Sequence, residues 1–181
     1  MDGVLYWIGQ GFGVIAIALG FLSYQLKTQR QLIMAQTATA ITFCIHYALI
    51  GAWTGMAMNA VAALRGVAYY VRNKKGSKNM VIPILFAVVI GAAGLLTWEA
   101  WYSVFVFLGL VINTLCMAFS DPQKVRASIL ITSPLVLVYD FLAFSIGGAV
   151  YESVAVISAA IGLLRMYKMK KDASKNESIE Q

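Results

Sequence analysis

Seven side chains carry nearly all the chemistry this sequence could perform: His46, Asn59, Arg65, Asn113, Tyr139, Asp140 and Glu152. Each sits inside a run dominated by Ala, Val, Ile, Leu and Phe. Polar groups in such runs are costly and tend to be functional. Their spacing sorts them by depth. His46 lies six residues before Ala52 and Asn59 seven after it, so a hairpin turning there puts both at one height on adjacent helices. A second hairpin does the same for Asp140 and Glu152, beside Tyr139 and Tyr151. Arg65 lies six residues beyond Asn59, roughly 9 Å deeper at the helical rise per residue. Helical side chains lean toward their own N-terminus. Arg65 and Asp140, on oppositely directed helices, therefore lean toward each other, and an ion pair of Arg65 with Asp140 or Glu152 is expected. Two carboxylates at one depth repel if both ionise, and an arginine between them relieves this.

Two readings of this layer compete. In one, His46, Asn59, Arg65, Tyr139, Asp140 and Glu152 line a solute pathway in which an acid or the histidine carries a proton. In the other, an Arg65–carboxylate pair locks helix register and the asparagines are interhelical glue. Contributions from both hairpins at equal depth favour the first for the set as a whole. Asn113 reads as glue, and His46 alone reads as a packing histidine. Enzymatic chemistry is not expected, since H-E-x-x-H, G-x-S-x-G and phosphate-loop motifs are all absent from the sequence. Nor are a cofactor or a metal expected. Cys44 and Cys116 both fall within apolar runs and read as free thiols.

The elements that must hold these residues are membrane helices. Sixty per cent of residues are hydrophobic and 12% charged, about half the charge of a soluble domain. Mean hydropathy is +0.76. A helix needs about 20 apolar residues to cross a bilayer. The sequence predicts seven spans, at 4–24, 32–50, 53–71, 80–97, 100–119, 127–144 and 147–168, giving an all-α polytopic fold. Lys27 and Arg30, then Arg72, Lys74, Lys75 and Lys78, then Lys124 and Arg126, then the basic end from Arg165 all fall on one side. The loops 51–54 and 145–148 are uncharged, and Asp2 and Glu99 lie opposite the basic side. The positive-inside rule then puts the N-terminus outside and the C-terminus inside. Trp7, Trp53, Trp98 and Trp101 fall at the outer interface. The formal net charge of +6 is thereby a topology signal against anionic inner-leaflet lipid, and no nucleic-acid partner is called for. The Asp172–Gln181 stretch is polar and aperiodic and reads as a solvated cytoplasmic tail.

Residues 27–75 and 120–168 align without a gap at an offset of 93. Leu49 pairs with Leu142, Gly55 with Gly148, Val61 with Val154, Ala62 with Ala155 and Arg72 with Arg165. Glu152 then matches Asn59, and Asp140 matches Tyr47. Two three-span repeats, at 1–75 and 99–171, are joined by a linker with the fourth span at 76–98, and the tail occupies 172–181. Because one span intervenes, both repeats run the same way. This 3+1+3 plan belongs to the parallel-repeat class. Gly91 and Gly94 mark the expected packing face of the linker span, and Gly9 with Gly13 reads as a close helix contact.

The stretch W-I-G-Q-G-F-G-V-I-A (7–16), H-Y-A-L-I-G (46–51) and the S-I-G-G-A-V-Y-E segment ending at Glu152 resemble the YgjV family of bacterial inner membrane proteins. The resemblance covers nearly the whole chain except the tail and implies a multi-pass inner-membrane location. The 3+1+3 plan is also similar to that of SWEET/PQ-loop sugar carriers and PnuC-type carriers. The function expected first is a small-solute transporter, its partners being the lipid bilayer and an unidentified solute, with homo-oligomerisation open. The alternative is a non-transporting membrane adaptor or assembly factor whose polar layer is structural; an ion or proton channel ranks third.

Overall fold

The structure is a computed structural model that describes residues 3–26, 29–77, 79–118 and 122–177. Asp2, Lys27, Lys78 and residues 178–181 lie outside the described residues. Seven helices follow one another: α1 (Gly3–Gln25), α2 (Gln29–Ile50), α3 (Trp53–Lys74), α4 (Val81–Leu96), α5 (Ser103–Met117), α6 (Pro122–Leu142) and α7 (Ile146–Glu177). No strand occurs among the described residues. Helix is the form an apolar chain takes in lipid, because it satisfies every backbone group within the segment.

Three boundaries that depart from expectation are the start of α5, the start of α6 at Pro122 rather than residue 127, and the end of α7. The fifth helix begins at Ser103 rather than residue 100, because the preceding segment is spent on capping. The Ser103 hydroxyl accepts hydrogen bonds from the backbone amides of Glu99 and Ala100. The last helix continues to Glu177, past the point where a polar tail was expected. Lys168, Lys170 and Lys171 keep helix propensity after the apolar periodicity has ended.

Helix α1 packs on α2 and α2 on α3; α5 packs on α6 and α6 on α7. The two groups meet where α1 packs on α7 and α3 on α5. Six helices thus close a ring in the order α1–α2–α3–α5–α6–α7. Helix α4 packs on α3 and α5, with Gly94 against the Phe107 ring of α5, on the face its glycines mark.

The helix ends are built alike. Gly51 ends α2 at φ 79°, and the amide of Ala52 donates to the Tyr47 carbonyl while that of Gly51 donates to Ala48. This is the Schellman termination, in which glycine adopts the left-handed conformation at no steric cost. Phe144 takes the same role after α6 at φ 53°, with Ser145 donating to Asp140 and Phe144 to Phe141. A non-glycine residue there carries strain of order 1 kcal/mol or more. Each of these turns is also held by distant residues. Glu99 accepts from the Trp53 and Thr54 amides at the start of α3, where unpaired N–H groups favour a carboxylate. Gln10 of α1 donates to the Phe144 carbonyl and accepts from the Gly147 amide.

Contact between α1 and α7 is backbone on backbone. A Cβ on Gly13 would lie 2.8 Å from the Gly147 Cα, and one on Gly147 would lie 2.6 Å from the Gly13 Cα. Neither neighbour is a flexible side-chain end, so the helices themselves would have to part. Gly11, two residues away, has open space around its Cβ position. Alanine gains about 1 kcal/mol over glycine in helix propensity, whereas overpacking costs about 1–3 kcal/mol. Gly147→Ala should therefore lower the melting temperature of the detergent-solubilised protein, and Gly11→Ala should leave it unchanged or raise it. Equal melting of the two variants would remove the glycine crossing as a packing constraint.

Candidate functional site

The residues expected in a single layer separate into two tiers. The first tier lies next to the turns and is packed solid. His46, Tyr139 and Asp140 are fully buried there, with Tyr47 at 3% exposure. Imidazole Nδ1 of His46 lies 2.7 Å from the Gly9 carbonyl. That carbonyl can only accept, so Nδ1 carries a hydrogen. Its Nε2 faces the Ser145 hydroxyl at 2.7 Å. Ser145 is also hydrogen-bonded to Asp140, whose Oδ1 accepts from the Tyr47 hydroxyl. Tyr139 accepts from the Gly55 amide at 2.8 Å. A hydrogen-bonded chain therefore runs from α1 through His46, Ser145 and Asp140 to Tyr47 of α2. The second Asp140 oxygen, Oδ2, has no partner in the protein.

The second tier is a cavity of about 140 Å³ inside the ring, bounded by α2, α3, α5, α6 and α7. Asn59, Arg65 and Glu152 line it, as does Asn113, which was expected to act as glue between helices. Asn59 donates to the Gly55 carbonyl one turn back. The Glu152 carboxyl is hydrogen-bonded to Ser133. Tyr47 also lines the cavity, so its ring separates the cavity from Asp140. His46, Tyr139 and Asp140 do not line it. Asp140 instead edges an apolar groove between α6 and α7 that includes Leu137, Phe141 and Val154.

The expected ion pair is not formed. Arg65, 7% exposed, donates from Nη1 to the Thr114 hydroxyl at 2.5 Å. Thr114 in turn donates to the Leu110 carbonyl, and its own carbonyl accepts from Tyr69. Neither Asp140 nor Glu152 makes a salt bridge with Arg65 among the described residues. Thr114 on the adjacent α5 takes the guanidinium that one of the acids was expected to hold. Arg65 Nε is buried without a partner, and so is Gln36 Oε1 on the same cavity wall.

Several residues of the site carried weak sequence signals. Thr39, Thr114, Thr132 and Ser133 pass unnoticed inside apolar runs, because a hydroxyl in a helix can bond its own preceding turn, as Thr39 does with Ala35. Gln10 and Gln36 are amides inside spans and could have been weighed with the asparagines. Tyr47 stands 93 residues from Asp140, which is the offset of the internal alignment. Pro134 is exposed on the outer face of α6, turned away from the cavity.

The Tyr47–Asp140 contact should be energetically coupled. Tyr47→Phe leaves a buried acid short of a donor, at a cost of about 1–3 kcal/mol. Pairing it with Asp140→Leu should cost less than the sum of the two single changes, by about 0.5–3 kcal/mol. Thermal unfolding of the four proteins in one detergent measures this, and strict additivity would mean that the contact contributes nothing.

Comparison with known proteins identifies the family of the chain. The chain is 20% identical to the inner membrane protein YgjV of Escherichia coli (strain K12) over 166 residues, covering 92% of this chain and 88% of that protein. No solved structure matches it. The Imp-YgjV family, described as bacterial inner membrane protein, matches residues 7–170. A hydrophobic, seven-helix chain covered almost end to end by that family is a multi-pass protein of the bacterial inner membrane, and it belongs to the Imp-YgjV family.

Proposed function

We propose that this protein is a small-solute carrier of the bacterial inner membrane, with the central cavity as its binding site. The observation that carries this reading is the cavity itself. A membrane bundle whose helices were merely packed would fill its interior with apolar side chains. This one keeps a void with Arg65, Glu152, Asn59 and Asn113 among the residues on its wall. The Nε of Arg65 and the Oε1 of Gln36 there have no protein partner, and buried polar groups without partners call for water or a ligand.

The carrier is built from two three-helix units in parallel orientation, α1–α3 and α5–α7, with α4 as the linker. Contacts at the two junctions support this, since exchanging the units turns the α1–α7 packing into the α5–α3 packing, and both occur. The cavity wall supports it too. Thr39 and Thr132, Asn59 and Glu152, and Ala62 and Ala155 are pairs 93 positions apart, and all six residues line the cavity. Tyr47 and Asp140, likewise 93 apart, touch each other, as equivalent positions do on a twofold axis. Gln10 and Ser103 are 93 apart and each sits against the turn region of the other unit. In the membrane, the turn end faces outward and the basic end of α3, with Arg72, Lys74 and Lys75, faces the cytoplasm, following the positive-inside rule. No enzymatic step is part of this reading.

The packed tier of His46, Tyr47, Tyr139 and Asp140 is the observation that favours a second reading, a non-transporting adaptor with a closed interior. Solvent access separates the two. Single cysteines at Asn59 and Glu152, in a Cys44→Ala/Cys116→Ala background, are to be treated with a membrane-impermeant maleimide from each side. Labelling at both positions is the expected outcome for a carrier. A stably folded protein that labels at neither would rule out the pathway and leave the adaptor.

A further inference from the structure

Building on the solute pathway proposed above, we propose that the cavity binds a small zwitterion, with its anionic group at Arg65 and its cationic group at Glu152. Both side chains line the one cavity, yet they make no salt bridge with each other among the described residues. Arg65 spends one nitrogen on Thr114 and leaves Nε buried and unpartnered. A guanidinium presents its donors as a planar fork that suits a carboxylate. Among the described residues, the single basic and the single acidic side chain on the cavity wall are these two. They sit on different helices of different halves of the ring, Arg65 on α3 and Glu152 on α7.

Charge balance narrows the ligand class. An anion alone would leave Glu152 unanswered or force it to take up a proton, and a cation alone would leave Arg65 unanswered in a low-dielectric site. Burying an unpaired charge is expensive. A zwitterion answers both. The remaining wall supplies neutral hydrogen-bonding groups, with Asn59 and Asn113 as amides and Thr39 and Thr132 as hydroxyls. Size sets the upper limit. An apolar cavity of about 150 Å³ holds benzene, a molecule of about six non-hydrogen atoms. At about 140 Å³ this cavity suits a solute of that size, such as a short amino acid, and excludes sugars and nucleosides in the conformation seen here.

Four probes that share a three-carbon skeleton test the assignment on the purified full-length protein in lipid nanodiscs: alanine, propionate, propylamine and propionamide. Thermal shift against concentration is the readout, with Arg65→Gln and Glu152→Gln as variants and Arg65→Lys as the conservative control. Saturable stabilisation by alanine is expected, with the other three at least tenfold weaker. Each glutamine variant should weaken alanine at least tenfold, and the preferences should cross. Arg65→Gln should favour propylamine, and Glu152→Gln should favour propionate. Loss of fold alone cannot produce that crossing. Arg65→Lys should keep the preference for alanine at reduced affinity. Propionamide binding as well as alanine, or a single ion binding better, overturns the zwitterion while leaving the carrier in place. Binding of none of the four overturns it as well. If the cysteines at Asn59 and Glu152 still label, the solute pathway survives that result; if they do not, both readings fall.

Discussion

The contact between the Tyr47 hydroxyl and the Asp140 carboxylate organises the rest of the molecule. It joins the middle helix of one group of three to the middle helix of the other, in full burial. An unanswered acid in an apolar interior costs several kcal/mol, so the neighbouring elements are arranged around it. Ser145 turns its hydroxyl inward to Asp140 and His46 together, and His46 reaches α1 through the Gly9 carbonyl. The α6–α7 turn is drawn into the interior as a result, and it fits there because Gly147 and Gly13 bring no side chains to the crossing. Disturbing the acid would therefore be felt in four helices.

Polarity and order were legible in the sequence. Long apolar runs, the uncharged turns and the basic ends are large signals summed over many residues, and they locate seven helices, with the start of α6 and the end of α7 the largest misses. The alignment at an offset of 93 was also legible, and it is the offset of the Tyr47–Asp140 contact. The composition of the site was half legible. Asn59, Arg65 and Glu152 meet at one cavity, as their presence inside apolar spans suggested. Partner choice was not legible. Depth and side-chain lean rank candidates along the membrane normal, but they say nothing about rotation around each helix axis, and rotation decides whether Arg65 meets Asp140 or Thr114. The same gap explains why His46, at the depth of Asn59, faces Gly9 and Ser145 and not the cavity. Hydroxyl residues were missed because hydropathy treats Thr39 and Thr132 as nearly neutral, although two such groups on one wall change what the wall can hold.

The two tiers divide the labour of the interior. The tier beside the turns satisfies nearly all of its polar groups internally and leaves little space. The cavity below it does the reverse, leaving donors and acceptors of Arg65 and Gln36 open. Tyr47 belongs to both, with its hydroxyl on Asp140 and its ring on the cavity wall. Phe43 bridges them as well, lining the cavity while its ring packs on His46 and Tyr47.

The α1–α7 crossing has a mechanical consequence. Helices that meet backbone to backbone, as they do at Gly13 and Gly147, are already as close as their atoms allow. That junction has no slack to give when lateral pressure in the bilayer rises, because close-packed protein is nearly incompressible. The void inside the ring is the soft part. A rearrangement of the ring would therefore change the volume of the cavity before it changed the α1–α7 crossing.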